Sequence, residues 1–210
     1  MNESQRLKLA VFASGRGSNF LAINEAIKRK EVDVEIAVLI SDQAGAPVLL
    51  KAQAADIPTH VFDYSSFDNK AAYEAAVVEA LLPYRVDMIA LAGYMRMVGS
   101  VLLAAYPQRI LNIHPSLLPA FPGLHAQRQA VEYGAKVSGC TVHLVDEGMD
   151  TGAIVLQATV PVYFEDDEDS LSVRILAEEH KIYARALQLF AENRIHIEGR
   201  KVKLESSKRI

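Results

Sequence analysis

Residues 11–20 read VFASGRGSNF. An apolar run ends abruptly in the small polar cluster Ser14-Gly15-Arg16-Gly17-Ser18-Asn19, and apolar residues then resume at helical spacing. A strand that breaks into a glycine-rich turn and feeds a helix is the opening of a βαβ unit. Working outward, residues 7–13 form the first strand, 19–30 a helix with Ile23, Ala26 and Ile27 on one face, and 34–40 a second strand. The alternation continues with a helix over 45–55, a short strand at 59–62, a helix over 69–82 ending near Pro83, a strongly apolar strand at 86–92, a short helix at 98–105 and a strand at 109–113. A proline-rich loop, HPSLLPAFPG, leads to a helix over 126–133. Residues 138–145 and 153–160 then read as longer strands around a turn rich in Asp and Gly. Ser170 caps a long helix over 170–193, preceded by the acidic run 165–169, and 195–204 is a terminal hairpin turning at Glu198-Gly199. The expected fold is α/β: a single Rossmann-like, doubly wound, mostly parallel sheet flanked by helices, with an antiparallel pair toward the C-terminal end. Without repeats or linkers, residues 1–210 are expected to be one domain.

Composition narrows the function. At 210 residues and 50% hydrophobic the chain can bury one sizeable core. A net charge of −4 and a pI near 5.9 disfavour a nucleic-acid partner, whose phosphates call for a basic face, and suit small-molecule substrates. No run approaches the ~20 apolar residues of a membrane span. MNESQRLK holds no apolar signal core, so a cytoplasmic protein is expected. The one cysteine, Cys140, excludes an internal disulfide and reads as a buried strand residue.

The turn at 14–19 presents backbone N–H groups at the positive end of a helix, which is an anion site. The glycines permit close approach of a phosphate, while Ser18 and Asn19 add donors and cap the helix. A third glycine is missing, since Leu21 or Ala22 holds its place, and the P-loop Lys-Ser/Thr pair is absent. The residues leave two readings, a single-phosphate cradle and a capped turn without ligand. Asp42, after the second strand, reads as a surface cap.

Sites in open α/β sheets form beyond the carboxyl ends of the strands. There the chain carries Gly93-Tyr94-Met95-Arg96-Met97, then Asn112-Ile113-His114-Pro115-Ser116, then the turn 146–152 with Asp150. Asn112 and His114, two apart, share one side of a strand. An amide donor for an oxyanion, an imidazole that shuttles protons and a carboxylate that favours imidazolium suit acyl transfer. The alternative for His114 is a histidine bonded to its neighbouring loop. No Ser or Cys has a nucleophile-elbow context, so the attacking group belongs to a substrate. His60 and His196 read as surface or packing residues, His125 as able to face the site, and His143 as a satisfied interior or supporting residue. Glu179 on the long helix is a further candidate. No metal-ligand spacing occurs.

The segments Ser14-Gly15-x-Gly17-Ser18-Asn19, Leu91-Ala92-Gly93-Tyr94-Met95-Arg96, Asn112-Ile113-His114-Pro115-Ser116-Leu117-Leu118-Pro119, Pro122-Gly123-Leu124-His125 and Asp150-x-Gly152 together resemble the folate-dependent formyltransferases over about residues 8–200. The glycine-rich loop selects the branch acting on glycinamide ribonucleotide in purine (IMP) synthesis. The resemblance implies direct transfer of a formyl group from 10-formyltetrahydrofolate, a co-substrate, with no metal. It implies catalytic roles for Asn112, protonated His114 and Asp150, which raises the histidine pKa. Gly17, Ser18, Asn19 and Glu179 would hold the ribonucleotide. Lys70, Met95, Arg96, Met97, Val98, Asn112, Asp146 and Glu147 would hold the folate. Lys70 stands where the family often carries Arg and loses bidentate geometry; Ala120 and Ala153 replace a common Lys and Pro.

Rival readings are a sugar-amine or transfer-RNA formyltransferase, a formyltetrahydrofolate hydrolase, and a non-catalytic nucleotide- or folate-binding module. At 210 residues the chain is expected to lack the added domains of the RNA enzymes and hydrolases, and it retains Asn112, His114 and Asp150. A monomer or a homodimer is expected.

Overall fold

The computed structural model describes residues 6–205. They divide into two compact units at Leu111/Asn112.

In the first unit, β1 (Leu7–Phe12) leads through α1 (Ser18–Lys28) to β2 (Val34–Ser41), and α2 (Pro47–Gln53) leads to β3 (Thr59–Val61). α3 (Lys70–Leu81) then returns the chain to β4 (Met88–Leu91), and α4 (Ser100–Ala105) follows. The strands are parallel in the order β3-β2-β1-β4. Leu9–Ala13 and Met88–Ala90 are fully buried, which is why these runs are continuously apolar instead of alternating. Chain order reverses between β1 and β4. That reversal makes a switch point, where the loops after two neighbouring strands open a crevice. Asn69 caps α3 by accepting from the Ala72 amide at 2.9 Å, and α3 gives way at Leu82-Pro83 to one tight turn, because proline cannot continue the ladder.

β5 (Ile110–His114) crosses the unit boundary. The second unit continues with α5 (Ala126–Tyr133), β6 (Val137–Leu144), β7 (Ile154–Pro161), α6 (Glu168–Ala191) and a separate antiparallel pair, β8 (Ile195–Glu198) and β9 (Lys201–Leu204). The order is β5-β6-β7, and β6 and β7 are antiparallel as expected. α6 packs on both, burying Leu171, Ile175, Tyr183, Ala186 and Leu187 along one stripe. Cys140 lies inside β6 opposite Ala158. Burial first, and then the charges of Glu179 and Glu178, push its thiol up to about 12.

Asp167, not Ser170, caps α6. Asp167 Oδ1 accepts from the Ser170 amide at 2.8 Å while Ser170 Oγ accepts from the Asp167 amide at 3.0 Å, a capping box that starts the helix earlier than expected.

Candidate active site

In the first unit, Gly17 adopts the left-handed region at φ +73°, and a Cβ there would overlap the Val48 side chain of α2. Glycine is required by backbone conformation and by close packing against α2. A Cβ on Gly15, by contrast, would meet open space. α1 begins at Ser18 with Gly17 in the cap position and no side-chain cap. This corrects the expectation that Ser18 and Asn19 cap it: Gly17 itself turns the chain, and the helix start presents backbone amides. Lys51 of α2 donates from Nζ to the Arg16 carbonyl at 2.6 Å, setting a cation against the loop.

The stretch after β4 lies against this loop. The Ser14 amide donates to the Gly93 carbonyl at 3.0 Å, and the Met95 amide donates to Ser14 Oγ at 2.9 Å. Ser14 Oγ in turn donates to Asp42 Oδ1 at 2.6 Å. Asp42 is therefore no surface cap. Its side chain is 3% exposed and its Oδ2 lies 3.0 Å from Arg96 Nε. Arg96 also stacks over Tyr64, 4.0 Å from the ring centroid. Tyr64, Lys70, Tyr73, Met95, Arg96, Met97 and Val98 line a recess of about 290 Å³. Tyr73 and Tyr94 close its floor with their hydroxyls 2.5 Å apart, and burial raises both phenols, keeping them protonated. Glu74, also buried, accepts from the Gly99 amide at 2.5 Å and the Leu102 amide at 3.3 Å, fixing the start of α4. The first unit thus brings Lys70 and Met95–Val98 together, beside the loop carrying Gly17, Ser18 and Asn19.

In the second unit, β5 delivers Asn112 and His114. Asn112 Nδ2 donates to His143 Nε2 at 3.1 Å, and His143 Nδ1 donates to the Leu144 carbonyl at 2.9 Å. The imidazole of β6 thereby holds the amide in one orientation. His114 Nε2 donates to the Phe121 carbonyl at 2.9 Å, while Nδ1 lies 3.3 Å from Asp150 Oδ2. Asp150 Oδ1 is 3.6 Å from His143 Nε2, and Oδ2 accepts from the Gly123 amide at 2.8 Å. So Asn112, His114, His143 and Asp150 form one cluster, with His143 the supporting residue that alternation in β6 suggested. Ser116 and Thr141 hydroxyls are committed to the backbone carbonyls of Ala120 and Ser116, at 2.5 and 2.6 Å.

Electrostatics corrects one expectation. Burial pushes His114 below its ordinary value, and this outweighs the raising effects of the Phe121 carbonyl and of Asp150, with His143 adding to the lowering. Asp150 does favour the imidazolium, but burial outweighs it and favours the neutral ring. Burial raises Asp150 as well, yet the facing His143 ring, the bond from the Gly123 amide and the nearby His114 together hold the carboxyl below its ordinary value. Asp150 sits at φ +55°, in a turn shaped by Asp146, whose Oδ1 accepts from the Gly148 amide at 3.1 Å and Thr151 Oγ1 at 2.6 Å. A Cβ on Gly152 would overlap the Leu144 carbonyl, so glycine lets this turn close on β6. Glu147 is exposed in the same turn.

Glu179 is buried on α6 with its charge felt at Cys140 of β6. His125 turns outward to Glu168, 3.2 Å away. His60 bonds Tyr84 at 2.9 Å. Among the described residues, no group of three or more His, Cys, Asp or Glu is placed to hold a metal, and no helix is long and apolar enough to cross a membrane. The sequence reading missed the Ser14–Asp42–Arg96 chain and the Tyr64–Tyr73–Tyr94 cluster. A carboxylate at the carboxyl end of a strand, just after the apolar run 36–40 and Ser41, was the available signal for Asp42.

A sheet with a switch point, a glycine-built turn at a helix start and an Asn-His-Asp cluster are the frame of a group-transfer enzyme. Residues 7–187 match the formyl transferase family, and the chain belongs to it. It is 49% identical over 181 residues to the phosphoribosylglycinamide formyltransferase of Bacillus subtilis (strain 168), covering 86% of this chain and 93% of that protein. The Escherichia coli (strain K12) protein of the same name is 39% identical over 189 residues, 90% of this chain and 89% of that one. The crystal structure of glycinamide ribonucleotide transformylase 1 from Symbiobacterium toebii superposes with a TM-score of 0.95 at 48% identity, covering 97% of this chain and 96% of that chain.

Proposed function

We propose that the protein transfers the formyl group of 10-formyltetrahydrofolate to the amine of glycinamide ribonucleotide, a step of de novo purine (IMP) synthesis. The observation that carries this reading is the Asn112–His114–Asp150 cluster, where the nearby hydroxyls are committed to carbonyls and the Cys140 thiol is too basic to attack. Such a site moves protons and meets an oxyanion but supplies no nucleophile. The nucleophile is then the substrate amine.

The amine nitrogen attacks the formyl carbon, and the carbonyl electron pair becomes an oxyanion. Asn112, its amide set by His143, donates to that oxygen. Neutral His114 takes the proton released by the attacking nitrogen. The imidazolium so formed sits between the Phe121 carbonyl and Asp150, both of which favour it, and the oxyanion offsets its burial. Collapse of the intermediate breaks the bond from carbon to the folate nitrogen, which leaves with a proton relayed through His114 and water held by Asp150. Binding both reactants side by side makes the step effectively unimolecular.

In this reading the amides of Gly17, Ser18 and Asn19 cradle the ribonucleotide phosphate, with Glu179 also on that substrate. Lys70, Met95, Arg96, Met97, Val98, Asn112, Asp146 and Glu147 hold the folate. Residues 1–210 act as one formyltransferase domain, monomeric or homodimeric, in the cytoplasm and without a metal.

The test is absorbance-monitored turnover of 10-formyltetrahydrofolate with and without glycinamide ribonucleotide. Consumption that requires the ribonucleotide and yields its formylated product is the expected result. Consumption without it marks a hydrolase, and none under either condition marks another amine acceptor or a binding module.

A further inference from the structure

We propose that Ser14 is a positioning residue that couples the two ligand sites of the first unit, so that filling the anion loop tightens the recess beside it. The inference rests on the phosphate and folate assignments given above.

Ser14 is the second residue after β1, and it makes three bonds to other segments. Its amide donates to the Gly93 carbonyl at 3.0 Å, its Oγ accepts from the Met95 amide at 2.9 Å, and the same Oγ donates to Asp42 Oδ1 at 2.6 Å. One hydroxyl therefore acts as donor and acceptor at once, joining the loop after β1 to the stretch after β4. Asp42 is locked in turn. Its Oδ2 accepts from Gln43 Nε2 at 3.1 Å and faces Arg96 Nε at 3.0 Å, and Arg96 lies over the Tyr64 ring that lines the recess. Three residues beyond Ser14 stands Gly17, wedged against Val48, where the anion-binding amides begin. The loop has little freedom between these anchors, so ordering it around a phosphate orders Ser14, and Ser14 orders the Met95 amide and the Arg96 side chain. By linkage the effect is reciprocal: whatever fixes Met95–Val98 must favour the phosphate-bound loop equally.

Calorimetry decides the matter, with glycinamide ribonucleotide and a non-reactive 5,8-dideazafolate as the probes. The Kd of the dideazafolate is measured with and without saturating ribonucleotide for the wild type, Ser14→Ala and Ser14→Thr. In the wild type the ribonucleotide should tighten dideazafolate binding about 5-fold or more. Ser14→Ala should bring that ratio to about 1 while the Kd of ribonucleotide alone stays within about twofold, and Ser14→Thr, which keeps the hydroxyl, should restore the ratio. General damage to the fold would weaken each ligand alone and would not select the ratio. Coupling retained in Ser14→Ala, or wild-type protein that binds both ligands independently, overturns the proposal and leaves the formyltransferase reading standing. Wild-type protein that binds neither ligand overturns that reading itself. Should Ser14→Ala fail to fold, Ser14→Cys, whose thiol bonds weakly in the same place, should lower the ratio, and a wild-type ratio there also overturns the coupling role.

Discussion

Asn112 Nδ2 lies 3.1 Å from His143 Nε2, and the other nitrogen of that ring is fixed on the Leu144 carbonyl. The orientation of an amide on β5 is thus set by a histidine on β6. His143→Ala should lower kcat by about 10²-fold, the scale of a misplaced reacting group, with KM for both substrates within a few-fold of wild type. Steady-state kinetics checks this, and a kcat within twofold of wild type would show that Asn112 holds its orientation unaided.

His114→Ala should abolish most turnover, on the order of 10²–10⁴-fold for loss of a general acid–base group. Ribonucleotide affinity by calorimetry should change little. Turnover like that of the wild type would remove His114 from the mechanism.

The pH dependence has a definite sign. Burial holds the folded His114 pKa below the ordinary imidazole value of about 6.5, so the fold prefers the neutral ring. Its contribution to stability is complete above that value and is lost as pH falls through it toward the lower folded value. Asp150 raises the His114 pKa, so Asp150→Asn should make the ring titrate lower still. Imidazole NMR titration reads both effects. A His114 resonance titrating above 6.5 would reverse the assignment of burial as the dominant influence.

Gly17→Ala should destabilise the protein by about 1–3 kcal/mol, because a Cβ at φ +73° meets Val48 and the conformation itself disfavours a side chain. Gly17→Val should in addition weaken ribonucleotide binding, through displacement of the loop by α2. Denaturant unfolding and calorimetry separate the two effects, and an unchanged dissociation constant in Gly17→Val would sink the loop assignment.

Legibility in the sequence followed the range of the interaction. Strand β2 and helix α5 emerged nearly residue for residue because apolar runs and helical spacing are local. The Asn112–His114 pair was legible because residues two apart on a strand share a side. The α6 cap was misplaced by three residues, since Asp166, Asp167, Asp169 and Ser170 all have cap chemistry and only the reciprocal bonds between Asp167 and Ser170 distinguish them. Asp42 was misread because its partners, Ser14 and Arg96, arrive from distant segments. The net direction of the His114 shift was not legible for a related reason: Asp150 is visible as a carboxylate in the sequence, whereas the desolvation that outweighs it exists only in the folded core.

Cys140 turns the second unit into its own reporter. The thiol is enclosed opposite Ala158 and pushed up to about 12, so almost none of it is thiolate at neutral pH and little reagent reaches it. Because the chain has no other cysteine, labelling by an aromatic disulfide proceeds only while β6 is open. Its rate therefore clocks the breathing of the strand that orients Asn112, without a dye or a mutation.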